Sequence, residues 1–233
     1  MINFYFFHVG DNQSLPNMLI NSIRKTNVNS KIYQLTDRFS PEVKEVDKCY
    51  RFDGYIKNIC KFRMEAYSKV KSIENSCSIF VDTDMLVLQK INEAELFQNF
   101  NTIFCKREIG LDLTVNINFR NMNMLEYKNI TLGDAWPYLA CFIALKNHSP
   151  SPFIEMNEIY NKLDKKYKIW YGDQIVLKRF VNIHSNTTSF VGENEYAYLP
   201  NENQIPSKTK ILHFKGEKLK KLMKKYHDFY FNS

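Results

Sequence analysis

Two aspartates one residue apart, Asp82 and Asp84, follow directly on the apolar run Cys77-Ser-Ile-Phe-Val81. A buried strand that ends in Asp-Thr-Asp can turn both carboxylates toward one point at its carboxyl end. Hard divalent cations take oxygen ligands and keep open positions for substrate phosphates, so the pair suits Mn2+ or Mg2+ bound together with a diphosphate. Such an ion would neutralise the charge that gathers on a departing nucleoside diphosphate. A D-x-D triplet in a solvated turn does none of this. What sets this one apart is its apolar frame, IFV before it and MLVL after it.

The elements that must carry this pair are legible as a pattern. Residues 2–9 are aromatic and β-branched and stop at Gly10-Asp11-Asn12, which predicts a buried strand. Residues 14–25 have apolar positions at helical spacing, with Ser14 as the expected N-cap. Residues 31–35 read as a second strand closed by Thr36-Asp37. This strand–helix–strand opening predicts an α/β sheet, in which ligands gather beyond the carboxyl ends of the strands. An amphipathic helix is expected over 55–70, with Lys57, Lys61 and Arg63 interleaved. Further strands are expected at 85–88, 102–106, 139–145 and 210–214, and helices at 152–167 and 173–180. The polar stretch 116–134 yields no assignment.

Bulk composition narrows the class. The chain has 233 residues, 44% of them hydrophobic, and seven Gly and seven Pro that are scattered, so an ordered fold without a long linker is expected. Its five cysteines never approach a C-x-x-C pair, which argues against zinc knuckles and disulfide frameworks and for buried thiols in a reducing cytosol. The opening MINFYFFHVGDN has no basic n-region and no long apolar core, so no signal peptide is expected. The longest apolar run, 138–145, is too short to span a bilayer. A net charge of +7 favours polyanionic partners without choosing among phosphate-bearing substrates, anionic lipid and nucleic acid.

Four short segments, in order along nearly the whole chain, resemble the GT-A glycosyltransferases, most closely family 8 and related bacterial and phage-encoded transferases. They are the opening FYFFHVGDN with YQLTD, then KNICKFRMEAYSKV followed by IFVDTDMLV, then WYGDQIVLKRF, and finally ILHFKGEKLK. The resemblance implies a GT-A-like, Rossmann-type mixed sheet, largely parallel and flanked by helices. It implies a nucleotide-sugar donor, a UDP-sugar, bound with Mn2+ or Mg2+, and transfer with retention of anomeric configuration.

Carried over position by position, Asp82 and Asp84 would be metal ligands, and His213 the third as a neutral imidazole. Asp173 would contact sugar hydroxyls and Gln174 would lie beside the anomeric carbon, although an aspartate opening a helix is also an ordinary cap. Arg63 would face the donor phosphates, with Lys61 and Arg107 as further basic candidates. Thr36 and Asp37 would touch base or ribose, where an aspartate is otherwise a common turn residue. Gly216 would let backbone approach the diphosphate, and Lys215 and Lys218 would hold it. Two departures stand out. Leu219 occupies the position where the family carries a lysine, and 136–144 contains neither the Asn nor the Gly of the family's Asn-x-Gly element.

Residues 1–214 are expected to form the transferase domain and 215–233 a basic amphipathic extension. From Lys215 to Lys225 there are six lysines, with Leu219, Leu222, Met223 and Tyr226 on one face. Such a segment covers a sheet edge, lies on an anionic membrane or tracks a nucleic-acid backbone. The expected acceptor is a saccharide or lipid-linked glycan, with a modified base in phage DNA as the other possibility, and the expected location is the cytoplasm or the inner face of the membrane. Two rival classes stay open. One is a metal-dependent phosphohydrolase or nucleotidyltransferase on the same acidic strand. The other is a catalytically silent nucleotide-sugar or nucleic-acid binding protein.

Overall fold

Alternation of large side chains shapes the first strand, β1, Ile2–Phe7, in which Phe4 and Phe6 enter one core and Tyr5 the other. The computed structural model describes residues 1–54, 56–70, 76–117, 125–147, 151–168, 171–200 and 204–232. Helix α1, Ser14–Thr26, sends Leu19, Ile20 and Ile23 into the core of Phe4 and Phe6. Ser14 is the first helical residue and not the cap, and its N–H donates to Asn12 Oδ1 at 3.0 Å. Strand β2, Lys31–Thr36, lies parallel to β1, and β3, Lys48–Arg51, lies parallel to β2. The helix expected over 55–70 begins later, as α2, Ile59–Lys69, after a 3-10 turn at Ile56–Asn58. The start is set by Asn58, whose side chain accepts the N–H of Lys61. Residue 55 lies outside the described residues.

Strands β4, Cys77–Val81, and β5, Met85–Val87, flank the acidic triplet. Then come α3, Glu93–Leu96, β6, Thr102–Lys106, α4, Leu132–Ala135, and the long β7, Tyr138–Lys146. Part of the unassigned stretch 116–134, residues 118–124, lies outside the described residues. Its remainder holds α4 and a backbone bridge between Thr114 and Thr131. The helix expected over 152–167 is two pieces, α5, Pro152–Asn161, and a 3-10 turn at Lys165–Tyr167. Helix α6, Gly172–Ile183, is longer than expected. The chain ends with β8, Thr188–Gly192, α7, Glu193–Tyr196, β9, Ile211–His213, and α8, Glu217–Phe231.

Seven strands form one sheet in the order β3-β2-β1-β4-β7-β6-β8, parallel throughout except that β7 runs against both neighbours. This is the mixed, largely parallel α/β sheet flanked by helices. Helices α2, α5 and α6 cover one face over Tyr5, Phe80 and Phe104, and α1 covers the other over Phe4, Phe6 and Ile79. Central strands are buried on both faces, which is why β4 is apolar at every position but Ser78. A second, two-stranded antiparallel sheet pairs β5 with β9.

The basic segment 215–233 is tied to this body. Met223 of α8 is fully buried with Leu86, Leu212 and Phe214, and Leu219, Leu222 and Tyr226 pack around them. None of the five cysteines forms a disulfide, and every one but Cys49 is buried. No helix among the described residues is long and apolar enough to cross a membrane.

Candidate metal and donor site

Strand β4 lies beside β1 with Val81 opposite Phe6, so the chain leaves the sheet at Asp82 next to Phe7. The Asp82 N–H donates to the Cys141 carbonyl on antiparallel β7 at 3.1 Å, which holds the Asp-Thr-Asp turn against the sheet end. The chain then reverses into β5, and β9 returns antiparallel to it with His213 opposite Met85. The Phe214 N–H donates to the Asp84 carbonyl at 2.8 Å. That register brings the imidazole to the carboxylate, with His213 Nε2 3.5 Å from Asp84 Oδ1.

One ligand atom from each of Asp82, Asp84 and His213 lies within 4.8 Å of the others. Carboxylate oxygens with one imidazole form a donor set that suits Mn2+ or Mg2+ and leaves room for phosphate oxygens. His213 Nδ1 is buried without a hydrogen-bond partner. An unsatisfied buried polar atom of that kind costs about 1–3 kcal/mol. The three residues therefore fit a divalent ion by the chemistry of their donor set.

Two cations from different helices reach this carboxylate cluster, Arg63 at Asp82 and Asp173 and Lys220 at Asp84. Arg63 of α2 donates from Nη1 to Asp82 Oδ1 at 2.6 Å and from Nη2 to Asp173 Oδ2. Burial works against the guanidinium charge, but Asp82 and Asp173 outweigh it and keep Arg63 protonated. Burial, together with Asp84 and Asp173, pushes the Asp82 pKa up, against the pull of Arg63. For Asp84, burial also pushes upward, but His213 and Lys220 overcome it and hold this carboxyl below the usual range. Burial lowers the His213 pKa, while the adjoining Cys141 sulfur and Asp84 carboxylate raise it to a net value above the ordinary one.

Helix α6 delivers the sugar-side candidates. A Cβ at Gly172 would come within 2.7 Å of the Tyr167 carbonyl and 2.8 Å of the Tyr160 ring, so only glycine lets the helix start pack this closely. Asp173 follows, 7% exposed, accepting the Gln174 N–H at 2.8 Å through one oxygen while the other faces Arg63. It is the second residue of the helix and not its cap, and it lines the same cavity as Arg63. Gln174 is oriented by Arg107, whose Nη2 donates to Gln174 Oε1 at 3.2 Å and whose Nε donates to the Trp136 carbonyl at 2.9 Å. Arg107 is thus a buried support of Gln174. Residue 170, the tryptophan of the WYGDQ segment, lies outside the described residues.

At the start of α8, Gly216 adopts φ +84°, with open space where a side chain would point. Lys220, one turn further on, places Nζ 3.4 Å from Asp84 Oδ2. The lysine run alone did not single it out. Helical side chains lean toward the N-terminus, so a lysine in the first turn of α8 reaches back to the site that Gly216 borders.

A cavity of about 370 Å³ joins these groups, lined by Arg63, Asp82, Asp84, Asp173, Gln174, His213, Lys215, Gly216 and Lys220. Five candidates lie off it, one of them Arg107, which stands behind Gln174. Thr36 and Asp37 build a turn, where Asp37 Oδ1 accepts the Ser40 N–H at 2.7 Å and the Phe39 N–H at 3.3 Å. Lys61 pairs with Glu65 at 3.3 Å on the outer face of α2, and Lys218 is exposed. A larger groove, about 910 Å³, is lined by Ile154, Glu155, Ile183 and His184 and includes none of the candidate residues. Its size is no argument for chemistry, since it gathers neither a metal-ligand set nor a basic cradle.

No protein-family model matches this chain, and no curated protein matches it.

Proposed function

We propose that this chain is a metal-dependent glycosyltransferase that takes a UDP-sugar as donor. The observation that carries this reading is convergence. Asp82, Asp84 and His213, brought together by the β5–β9 register, face the same cavity as Arg63, Asp173 and Gln174. A metal-bound diphosphate at that cluster would have the sugar on the α6 side, within reach of Asp173 and Gln174. The ion, Mn2+ or Mg2+, would supply Lewis-acid neutralisation of the leaving diphosphate.

The chain's own residues do the rest. Arg63 fixes the directions of Asp82 and Asp173, and Arg107 fixes that of Gln174. Lys215, Gly216 and Lys220 form the basic, close-approach wall suited to phosphate oxygens. No side chain need act as a strong nucleophile, because the leaving group is already an activated phosphate. The acceptor in this reading is a saccharide or a lipid-linked glycan, with a hydroxylated DNA base as the competing acceptor. The outer face of α8, with Lys218, Lys221, Lys224, Lys225 and an exposed Phe229, suits an anionic surface near either.

A thermal-shift panel of nucleotide-sugars with and without Mn2+ tests the proposal. Ligand at a hundred times its dissociation constant stabilises a fold by about 2.7 kcal/mol. A chain of this size should then melt several degrees higher with one UDP-sugar, and only with metal present. Absence of any shift across UDP-sugars with Mn2+ rejects the donor assignment. Metal-dependent release of sugar phosphate without glycoside formation would turn the reading toward a phosphohydrolase.

A further inference from the structure

Lys220 and a divalent ion make rival claims on Asp84. The ammonium lies 3.4 Å from Asp84 Oδ2, while Oδ1 faces His213 Nε2 at 3.5 Å. An ion held by Asp82, Asp84 and His213 would stand against that ammonium, and two like charges at such range repel strongly in a partly buried site. One of the two cations on the carboxylate pair must then give way.

The geometry decides which. Arg63 is anchored twice, to Asp82 at 2.6 Å and to Asp173, with its side chain 18% exposed. Among the described residues Lys220 makes one ion pair, longer than the usual 2.7–2.9 Å of a charge-assisted bond, and its side chain is 35% exposed. Its four-carbon stem swings freely in a way that a doubly bonded guanidinium does not. Gly216, with φ +84° and open space around it, stands at the base of the same helix turn.

We infer that Lys220 is an exchangeable internal cation. It competes with the metal for Asp84 and, once displaced, turns to the phosphate oxygens of the incoming nucleotide, so that metal and nucleotide bind cooperatively. This rests on the metal-dependent nucleotide reading of the site. The coupling is reciprocal: a metal that frees Lys220 raises nucleotide affinity, and a nucleotide that draws Lys220 away raises metal affinity by the same factor.

The consequence is a pair of opposite effects from one substitution. Lys220→Met keeps the stem and removes the charge. Isothermal titration of the variant should give Mn2+ binding, measured without nucleotide, that is tighter by up to about fivefold, the scale of one partly screened ion pair. UDP binding at saturating Mn2+ should weaken about tenfold, the scale of one charge-assisted hydrogen bond. Lys225→Met, which removes the same charge from the exposed face of α8, should change neither by more than about twofold. If wild type binds Mn2+ and UDP but Lys220→Met binds Mn2+ no tighter, or tightens no more than Lys225→Met, the exchange is wrong while the metal site stands. If wild type takes up no Mn2+, with or without UDP, both the exchange and the reading beneath it fall. A melt monitored by circular dichroism, unchanged in the variant, separates these outcomes from loss of fold.

Discussion

Arg63 holds two carboxylates that come from distant parts of the chain, Asp82 after β4 and Asp173 at the start of α6. Removing it leaves both near one another without their guanidinium, and breaking a largely buried pair costs about 3 kcal/mol. Arg63→Met should therefore lower the denaturation midpoint markedly. Arg63→Lys should not restore it, because one ammonium cannot span two carboxylates in the way a planar guanidinium does. At Asp84 the demand is chemical. Asp84→Asn keeps shape but removes the anionic ligand, and should weaken metal-dependent nucleotide binding by at least about 100-fold, judged by titration calorimetry. Single residues also mark what the sequence could not disclose. His213 and Gly216 were reached through the resemblance of ILHFKGEKLK to a His-x-x-Gly motif. Lys220 was not, because its nearness to Asp84 depends on how β5 pairs with β9.

At the scale of elements, Asp47 shows how a loop is fastened before the site is reached. Its carboxylate accepts from Arg24 of α1 at 2.6 Å, from Lys31 at 3.0 Å and from the Ile32 N–H at 2.8 Å, tying α1 to the entry of β2. Burial pushes the Asp47 pKa up, but the bonds from Arg24, Ile32 and Lys31 outweigh it and hold the folded value below the ordinary one. The stabilisation is accordingly full above the ordinary carboxylate range and is lost as pH falls through the lowered folded value. Asp47→Asn should cost about 1–2 kcal/mol at neutral pH, with the gap to wild type closing in acid, as urea titrations across pH would record. The strands that were readable in advance, β1, β2, β4, β5, β6, β7 and β9, are mostly apolar runs with largely buried side chains. Strands β3 and β8 went unseen because they are short, partly exposed edges whose pairing is dictated by their neighbours. The antiparallel sense of β7 was equally hidden, since direction leaves no mark on hydrophobic pattern.

Across the whole molecule, α8 closes the arrangement. Its apolar face packs on Leu86, Leu212 and Phe214 beside α1, and its first turn delivers Gly216 and Lys220 to the cavity. Met223 is fully buried in that seam. Met223→Ala should cost about 3 kcal/mol and, by loosening the helix that carries Lys220, weaken nucleotide binding more than metal binding, a split that parallel calorimetric titrations would reveal. The central claim is spatial: one divalent ion, held by Asp82, Asp84 and His213, grips a nucleotide diphosphate. Anomalous diffraction from crystals grown with Mn2+ and UDP tests it most directly. The account predicts a single strong manganese peak among those three side chains, bonded also to diphosphate oxygens. A peak elsewhere, or nucleotide bound in this cavity with no metal among them, would contradict it.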